Sequence, residues 1–267
     1  MPNNALIQFS VFTKPWRMPL PELARFVSGL GFDGIELPVR PGFQVEPEHV
    51  GRDLPQAARL LADFGLTITS VAGTTDAATI NACAECQIPL LRTMVPIGPE
   101  GYVAAEERAR REYDALLPLL QSSGVTVGVQ NHYGRYVCHA LGLRRLLDGY
   151  DPCLVGAVWD AAHTALNGEE PELALEILWP RLALVNLKNA FWQLVTGPET
   201  TPTEWEAYWT DGRHGLASWP RVAAELKRRG YAGTVCLTAE YTDEHSVERL
   251  IAEDLAFARS LFAEEPR

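Results

Sequence analysis

Thr234-Val235-Cys236-Leu237-Thr238-Ala239-Glu240 is an apolar run that closes on a carboxylate, and three upstream segments repeat its design. Val125 to Val129 runs into Gln130, Asn131 and His132; Val155 to Trp159 runs into Asp160 and, three residues on, His163. Leu182 to Val185 runs into Asn186, Lys188 and Asn189. Apolar runs of about four to eight residues read as strands buried on both faces, the habit of parallel sheets. Polar groups gathered at the C-terminal ends of successive parallel strands are how a (β/α)8 barrel assembles an active site. The pattern points to an enzyme.

Working outward, strand-like runs begin near Leu6, Phe32, Leu66, Ile88, Val125, Leu154, Leu182 and Thr234. Between them lie segments whose apolar residues recur at helical spacing, from Pro21 to Leu30, Leu54 to Gly65, Glu106 to Gly124, Leu141 to Gly149 and Ala217 to Gly230. Several close on glycine, a helix C-terminal signal. Strands alternating with helices imply right-handed crossovers and a parallel sheet. The expectation is an α/β fold, a single (β/α)8 TIM barrel filling residues 1–267, close to the roughly 250 residues such a barrel needs. No glycine-rich phosphate-binding motif follows a strand, which disfavours a dinucleotide fold or a P-loop.

The net charge of −11 excludes a broad nucleic-acid surface, which needs concentrated basic residues. A local basic pocket for a sugar phosphate stays compatible with it. No stretch approaches the ~20 apolar residues of a membrane helix, and the opening Met1–Ser10 lacks the layout of a signal peptide. Five cysteines, an odd number, do not suggest a disulfide framework. Cys83 and Cys86 are spaced as a redox pair but sit in a helical segment, so they read as structural thiols in a cytoplasmic protein.

Asp160 and His163 can converge on one site, the carboxylate on a divalent ion and the imidazole beside it; a plain helix N-cap is the competing reading of Asp160. Glu36, Gln130, Asp160, Asn186 and Glu240 all fall at or near strand ends, where clustered acids need a cation or a proton to coexist. Lys188 reads as a contact to a substrate oxygen, with a Schiff-base nucleophile as the rival reading. Arg92 reads as an anion contact or a structural ion pair. Arg213 and His214 lie late in a long loop that would border the mouth.

At these positions the chain resembles the xylose isomerase-like TIM-barrel family of sugar isomerases and epimerases, which also includes inosose dehydratase. Gly31 to Pro38 resembles the family's second-strand signature, with Glu36 in the acidic place. Val127 to His132 is similar to its Glu-Asn-His segment, Trp159 to His163 to its Asp-x-x-His, and Asn186 to Asn189 to its His-x-Lys-Asp. His214 to Tyr241 resembles the closing block that ends on the family's glutamate. The resemblance implies a divalent metal held by Gln130, Asp160, Asn186 and Glu240. Two of these depart from the pattern: Gln130 stands for glutamate and Asn186 for histidine. Amide oxygens suit Mg²⁺ or Mn²⁺ better than Zn²⁺ but bind weakly, so His132, His163 or His214 are candidate replacement donors.

Gln130 cannot be a general base, which argues against the two-glutamate epimerisation of the family. One-base chemistry remains, with Glu240 taking a proton next to a carbonyl and the metal or Lys188 steadying the enediolate. The leading expectation is an isomerase on a sugar or keto-sugar, phosphorylated or not. The alternatives are a dehydratase aided by His163, or a sugar-binding barrel without turnover. DNA repair of the endonuclease IV type would need a histidine-rich cluster for three zinc ions. The expected partner is a small sugar or polyol, with no nucleic acid or membrane, and self-assembly is left open.

The segment from Ala190 to Ser218 is far longer than an ordinary βα loop. Its Phe191, Trp192, Trp205, Tyr208 and Trp209 predict an ordered lid or subunit contact. Trp192 is expected to wall the substrate, and Trp205 and Trp209 to share one face of a short helix. Pro41 to Pro47 is a shorter loop expected at the same mouth.

Overall fold

A computed structural model describes residues 7–263. In chain order the elements are β1 (Gln8–Phe12), α1 (Leu20–Leu30), β2 (Gly34–Pro38), α2 (Val50–Asp63), β3 (Thr67–Ala72), α3 (Ala77–Glu85) and β4 (Leu90–Thr93). There follow α4 (Tyr102–Ser123), β5 (Thr126–Gln130), α5 (Ala140–Leu147), β6 (Val155–Asp160), α6 (Ala161–Leu166), α7 (Pro171–Leu178) and β7 (Leu182–Leu187). The chain ends with β8 (Asn189–Leu194), β9 (Trp205–Thr210), α8 (Trp219–Arg228), β10 (Thr234–Leu237) and α9 (Val247–Phe262). The strand expected from Leu6 thus begins at Gln8; Leu6 itself, like most of the opening segment, lies outside the described residues.

Eight strands close a parallel barrel in the order β1-β10-β7-β6-β5-β4-β3-β2. Alternation along each strand, the period-2 rule of the pleat, separates two cores. Val11, Ile35, Leu37, Val71, Leu91, Val127, Val129, Trp159, Val185 and Leu237 belong to the large layer between strands and helices. Phe12, Ala72, Leu90, Val158, Leu184 and Cys236 make a small separate cluster, the barrel's own filling. Positions in step with that inner set at the strand ends are Glu36, Arg92, Gln130, Asp160 and Asn186, and they are all buried. The same pleat that fills the barrel therefore delivers its polar residues to one end.

Glycine ends α1 and α4 as expected: Gly31 and Gly124 take φ of 92° and 70°, left-handed conformations in which a Cβ is strained. Cys83 and Cys86 lie at the end of α3 as free thiols, and burial pushes Cys83 up to about 12, so neither is poised for redox work. No helix among the described residues is long and apolar enough to cross a membrane.

The segment after β7 corrects one expectation. Trp205 and Trp209 are not on a helix; β8 and β9 pair as an antiparallel hairpin from Asn189↔Thr210 to Leu194↔Trp205. Aromatic and β-branched residues interrupted by Gly197-Pro198 and Thr201-Pro202 favour two strands and a turn. Asn189 anchors the base: its side chain donates to the carbonyls of Gly212 and Ala217 and accepts from the backbone of Ala190 and Ala217. Gly215 passes so close to that amide that a Cβ there would collide with it.

Candidate active site

The mouth is a broad cavity of about 630 Å³ bordered by Lys14, Arg17, His132, Tyr133, Lys188, Trp209 and Glu240. Below it a recess of about 60 Å³ reaches Arg40, Arg92, Gln130, Asp160, His163 and Asn186. Gln130, Asp160, Asn186 and Glu240, brought together from four strand ends, all line that recess. Glu36 lies beside it, fully buried, where its Oε1 accepts from Arg92 at 2.7 Å and Ser70 at 3.0 Å.

Arg92 leads a buried relay. Its second nitrogen donates to Oε1 of Gln130, whose Nε2 donates to Oδ2 of Asp160 at 3.0 Å. An amide suits this position because it accepts from a guanidinium and donates to a carboxylate; a glutamate here would set two carboxylates against each other. Asp160 also caps α6, accepting from the backbone of His163 at 3.1 Å, so the helix-cap reading holds, and the same carboxylate also lines the recess. Its backbone N–H is held by Asn131 at 2.8 Å. Burial outweighs these donors and pushes the Asp160 carboxyl up to about 6.

Glu240 is treated in the opposite way. It lies three residues past β10, turned by Ala239 at φ 53°, a left-handed conformation uncommon for a residue with a Cβ. Lys188 donates to its Oε2 at 2.7 Å and Lys14 to its Oε1. Despite the burial, the two ammonium groups hold the Glu240 carboxyl down at about 2. Lys188 lies 3.6 Å from the centroid of the Trp209 ring, a cation–π contact, and the Trp219 indole donates to its carbonyl at 3.2 Å.

On the facing wall the His132 and His163 rings lie tilted by 35° with centroids 4.0 Å apart, beside Tyr133 and Trp209. Burial lowers the pKa of both, and the Lys188 charge adds to the effect, so both rings are neutral at pH 7. His132 donates from Nδ1 to the Tyr133 carbonyl at 2.8 Å, while Nδ1 of His163 has no partner.

Three expected residues stand apart from the mouth. Arg213 lies over the Phe257 ring at 3.9 Å and His214 is paired with Asp211 at 2.8 Å, both outside the recess and the broad cavity. Trp192 donates to the Leu166 carbonyl at 3.0 Å and packs edge-on behind Tyr133. The wall itself is Trp209 and Tyr133. Lys14, Arg40 and Tyr133 were not among the sequence candidates for the site, and Trp209 was expected only as part of the lid or subunit contact. Lys14 and Arg40 follow β1 and β2, so the strand-end rule that found Glu240 would have reached them.

The donor set does not fit a divalent ion. Of the four inferred ligands, Gln130 gives its oxygen to Arg92, Glu240 gives both oxygens to lysines, and Asp160 is engaged by an amide and a backbone N–H. Only Asn186 is free, with both amide atoms buried and unpartnered. A dication among them would face three side-chain cations. Nor do His, Cys, Asp and Glu form any group of three suited to metal among the described residues.

Comparison with known proteins comes to the same architecture. A family model described as xylose isomerase-like TIM barrel matches residues 24–261. An inosose dehydratase of Bacillus anthracis is 32% identical over 98 residues, 36% of this chain and 33% of that protein. The match thus spans about a third of the length of that relative. Among solved structures, D-psicose 3-epimerase from Clostridium cellulolyticum H10 superposes with a TM-score of 0.72 at 14% identity, over 97% of this chain and 100% of the other. A 3-keto-D-glucoside 4-epimerase from E. coli gives 0.72 at 14%, over 96% and 100%. At that identity the likeness carries the fold.

Proposed function

The chain belongs to the xylose isomerase-like TIM barrel family, and from that premise we propose an isomerase that moves a proton from the carbon next to a sugar carbonyl onto the carbonyl carbon itself. The observation that carries this reading is the Lys188–Glu240 pair, an ammonium and a carboxylate 2.7 Å apart in the mouth. Glu240 is a feeble base while two lysines hold it. A substrate carbonyl that takes the Lys188 ammonium removes one of them, and Glu240 regains basicity next to the acidic carbon. Lys188 then donates to the oxygen as it gains charge, the electrostatic part of the barrier. Glu240, open to exchange with solvent in the mouth, then protonates the former carbonyl carbon while the hydroxyl proton passes between the two enediolate oxygens through Lys188, so one base serves both half-reactions.

The reading routes no step through a metal, because Lys188, Lys14 and Arg92 already supply positive charge where the resemblance implied a dication. It takes the whole described chain as one catalytic barrel acting on a small molecule, with Trp209 and Tyr133 as its aromatic wall. Asp160 favours a second reading. A carboxyl pushed up to about 6 keeps its proton in mild acid and a minor share of it at neutrality, enough to protonate a leaving hydroxyl as a dehydratase requires. His163, held neutral, is the poorer acid for that step.

Proton NMR in D₂O over a panel of ketoses, aldoses and inososes separates the two. Deuterium entering a sugar that keeps all its hydroxyls supports isomerisation, and loss of a hydroxyl supports the lyase. Neither event across the panel overturns both.

A further inference from the structure

Two residues past the end of β2, Arg40 holds a half-buried guanidinium in the recess, 5.7 Å from the Phe12 ring centroid. Every other cation close to it has a partner. Arg92 is matched by Glu36, Lys14 and Lys188 share Glu240, and Arg17 donates to the Gly42 carbonyl at 3.0 Å. The Arg40 guanidinium has neither hydrogen bond nor ion pair among the described residues. A half-buried guanidinium facing a second one is costly unless an anion completes it. Burial first, then the Arg92 charge, lower its hold on the proton, while the carboxylates of Glu36 and Glu240 offset part of this from a distance without pairing with it.

The segment that carries Arg40 is braced. Gln44 donates to the carbonyls of Trp16 and Met18 at 3.0 and 2.9 Å, Gly42 donates to Glu46 at 2.7 Å, and Arg17 lies flat on the Phe43 ring. The guanidinium is therefore presented by a fixed loop, and little ordering entropy is left to lose when it binds. Around it the recess and broad cavity bring Lys14, Arg17, Arg92 and Lys188 against Asp160, Glu240 and Glu244. Two lysines share one carboxylate and Glu36 matches Arg92, so with Arg40 counted five cations meet four carboxylates and the mouth carries surplus positive charge in a chain of net charge −11.

We propose that the mouth recognises an anionic substrate, whose carboxylate or phosphate oxygens are bound by Arg40 with Lys14 alongside. The planar fork of arginine suits paired oxyanion acceptors. This deepens the isomerase reading, on which it rests for the reacting end: the carbonyl lies at Lys188 and Glu240, and the anionic substituent a few atoms away at Arg40.

Calorimetric titration at low salt with inorganic phosphate, D-gluconate and neutral D-sorbitol tests it. At least one anion should bind tenfold or more tightly than sorbitol, and Arg40→Ala should erase that preference. Arg111→Ala, on the exposed side of α4, should keep it. Phosphate as the better ligand assigns a phosphorylated substrate, gluconate a sugar acid. Anions that bind no better than sorbitol, or equally well to Arg40→Ala, overturn the proposal. Arg40→Gln decides the matter if the alanine variant fails to fold by circular dichroism. Absence of any anion preference in the native protein, with deuterium exchange intact, sinks this inference alone. Arg40-dependent anion binding without exchange sinks the isomerase reading and leaves this one standing.

Discussion

The β10 side of the mouth and the β6 side each hold one carboxylate, and the chain shifts their acidities in opposite directions. Glu240 sits between two ammonium groups and is drawn down to about 2. Asp160 is sealed among amides, backbone and neutral histidines and is pushed up to about 6. One environment favours the anion by charge, the other penalises it by desolvation. Titratable pairs driven apart in this way are where acid and base roles divide. The difference teaches that cations, not burial, set which carboxylate is ready to work, and that they stand just past β1 and just past β7.

Breaking the β10 side should have the largest effect. Glu240→Gln keeps the shape and removes the base, so turnover should fall by about a thousandfold, within the range for a general base, as read by deuterium wash-in. Retention of more than a tenth of native activity would move the base elsewhere, Asp160 first. The same variant should lose stability at neutral pH but not in acid. A depressed carboxyl stabilises the fold above its ordinary pKa of about 4 and loses that contribution as pH falls toward 2.

Lys188→Met should follow, costing about a hundredfold in kcat, the scale of one lost oxyanion donor, with a smaller change in KM. Lys188→Arg, which keeps a donor to Glu240, should recover part of it. A Schiff-base role would instead leave both variants equally dead, and borohydride trapping of a substrate adduct on the native protein would reveal it.

The β6 side offers the sharper physical test. With Asp160 raised to about 6, the unfolded state gives up that proton first as pH rises from about 4. The fold therefore loses on the order of 2 kcal/mol from this group between pH 4 and 7. Asp160→Asn should flatten the slope of urea midpoints across that window, leaving the share of Asp254, also pushed up to about 6. An unchanged slope would mean that Asp160 stays ionised in the fold and that the contrast with Glu240 is not real.

How much of this the sequence carried depends on range. The eight barrel strands were legible because each is a short apolar run, a local signal, and period-2 alternation then sends Glu36, Arg92, Gln130, Asp160 and Asn186 to one end. What those groups do to each other was not legible. That Gln130 bridges a guanidinium and a carboxylate depends on neighbours 38 and 30 residues away in the chain. Lys14 and Glu240 are 226 residues apart, and their pairing turns an inferred metal ligand into an ion-pair partner. The hairpin failed for a different reason: Trp205 and Trp209 lie on one face at spacing four in a strand as well as in a helix, so spacing alone could not choose.

That hairpin gives the smallest expected effect, and it couples the two sides. Its second strand is tied to the Glu240 loop, since Thr242 accepts from the Trp209 backbone at 2.9 Å and donates back at 3.0 Å. The Trp209 ring meets Lys188 on one side and His163 and Tyr133 on the other, whereas Trp192 stands one ring behind. Trp209→Ala should therefore raise KM severalfold and slow turnover, because it frees the Lys188 ammonium as well as removing a wall. Trp192→Ala should raise KM about twofold at most, with kcat unchanged, since Tyr133 still faces the cavity; the lost edge contact, of the order of 1 kcal/mol, should show instead as lower stability. If Trp192→Ala proved the more damaging of the two, the ring behind would be the true wall. The hairpin would then have to close further over the mouth than it does here, bringing Trp192 past Tyr133 and onto the sugar.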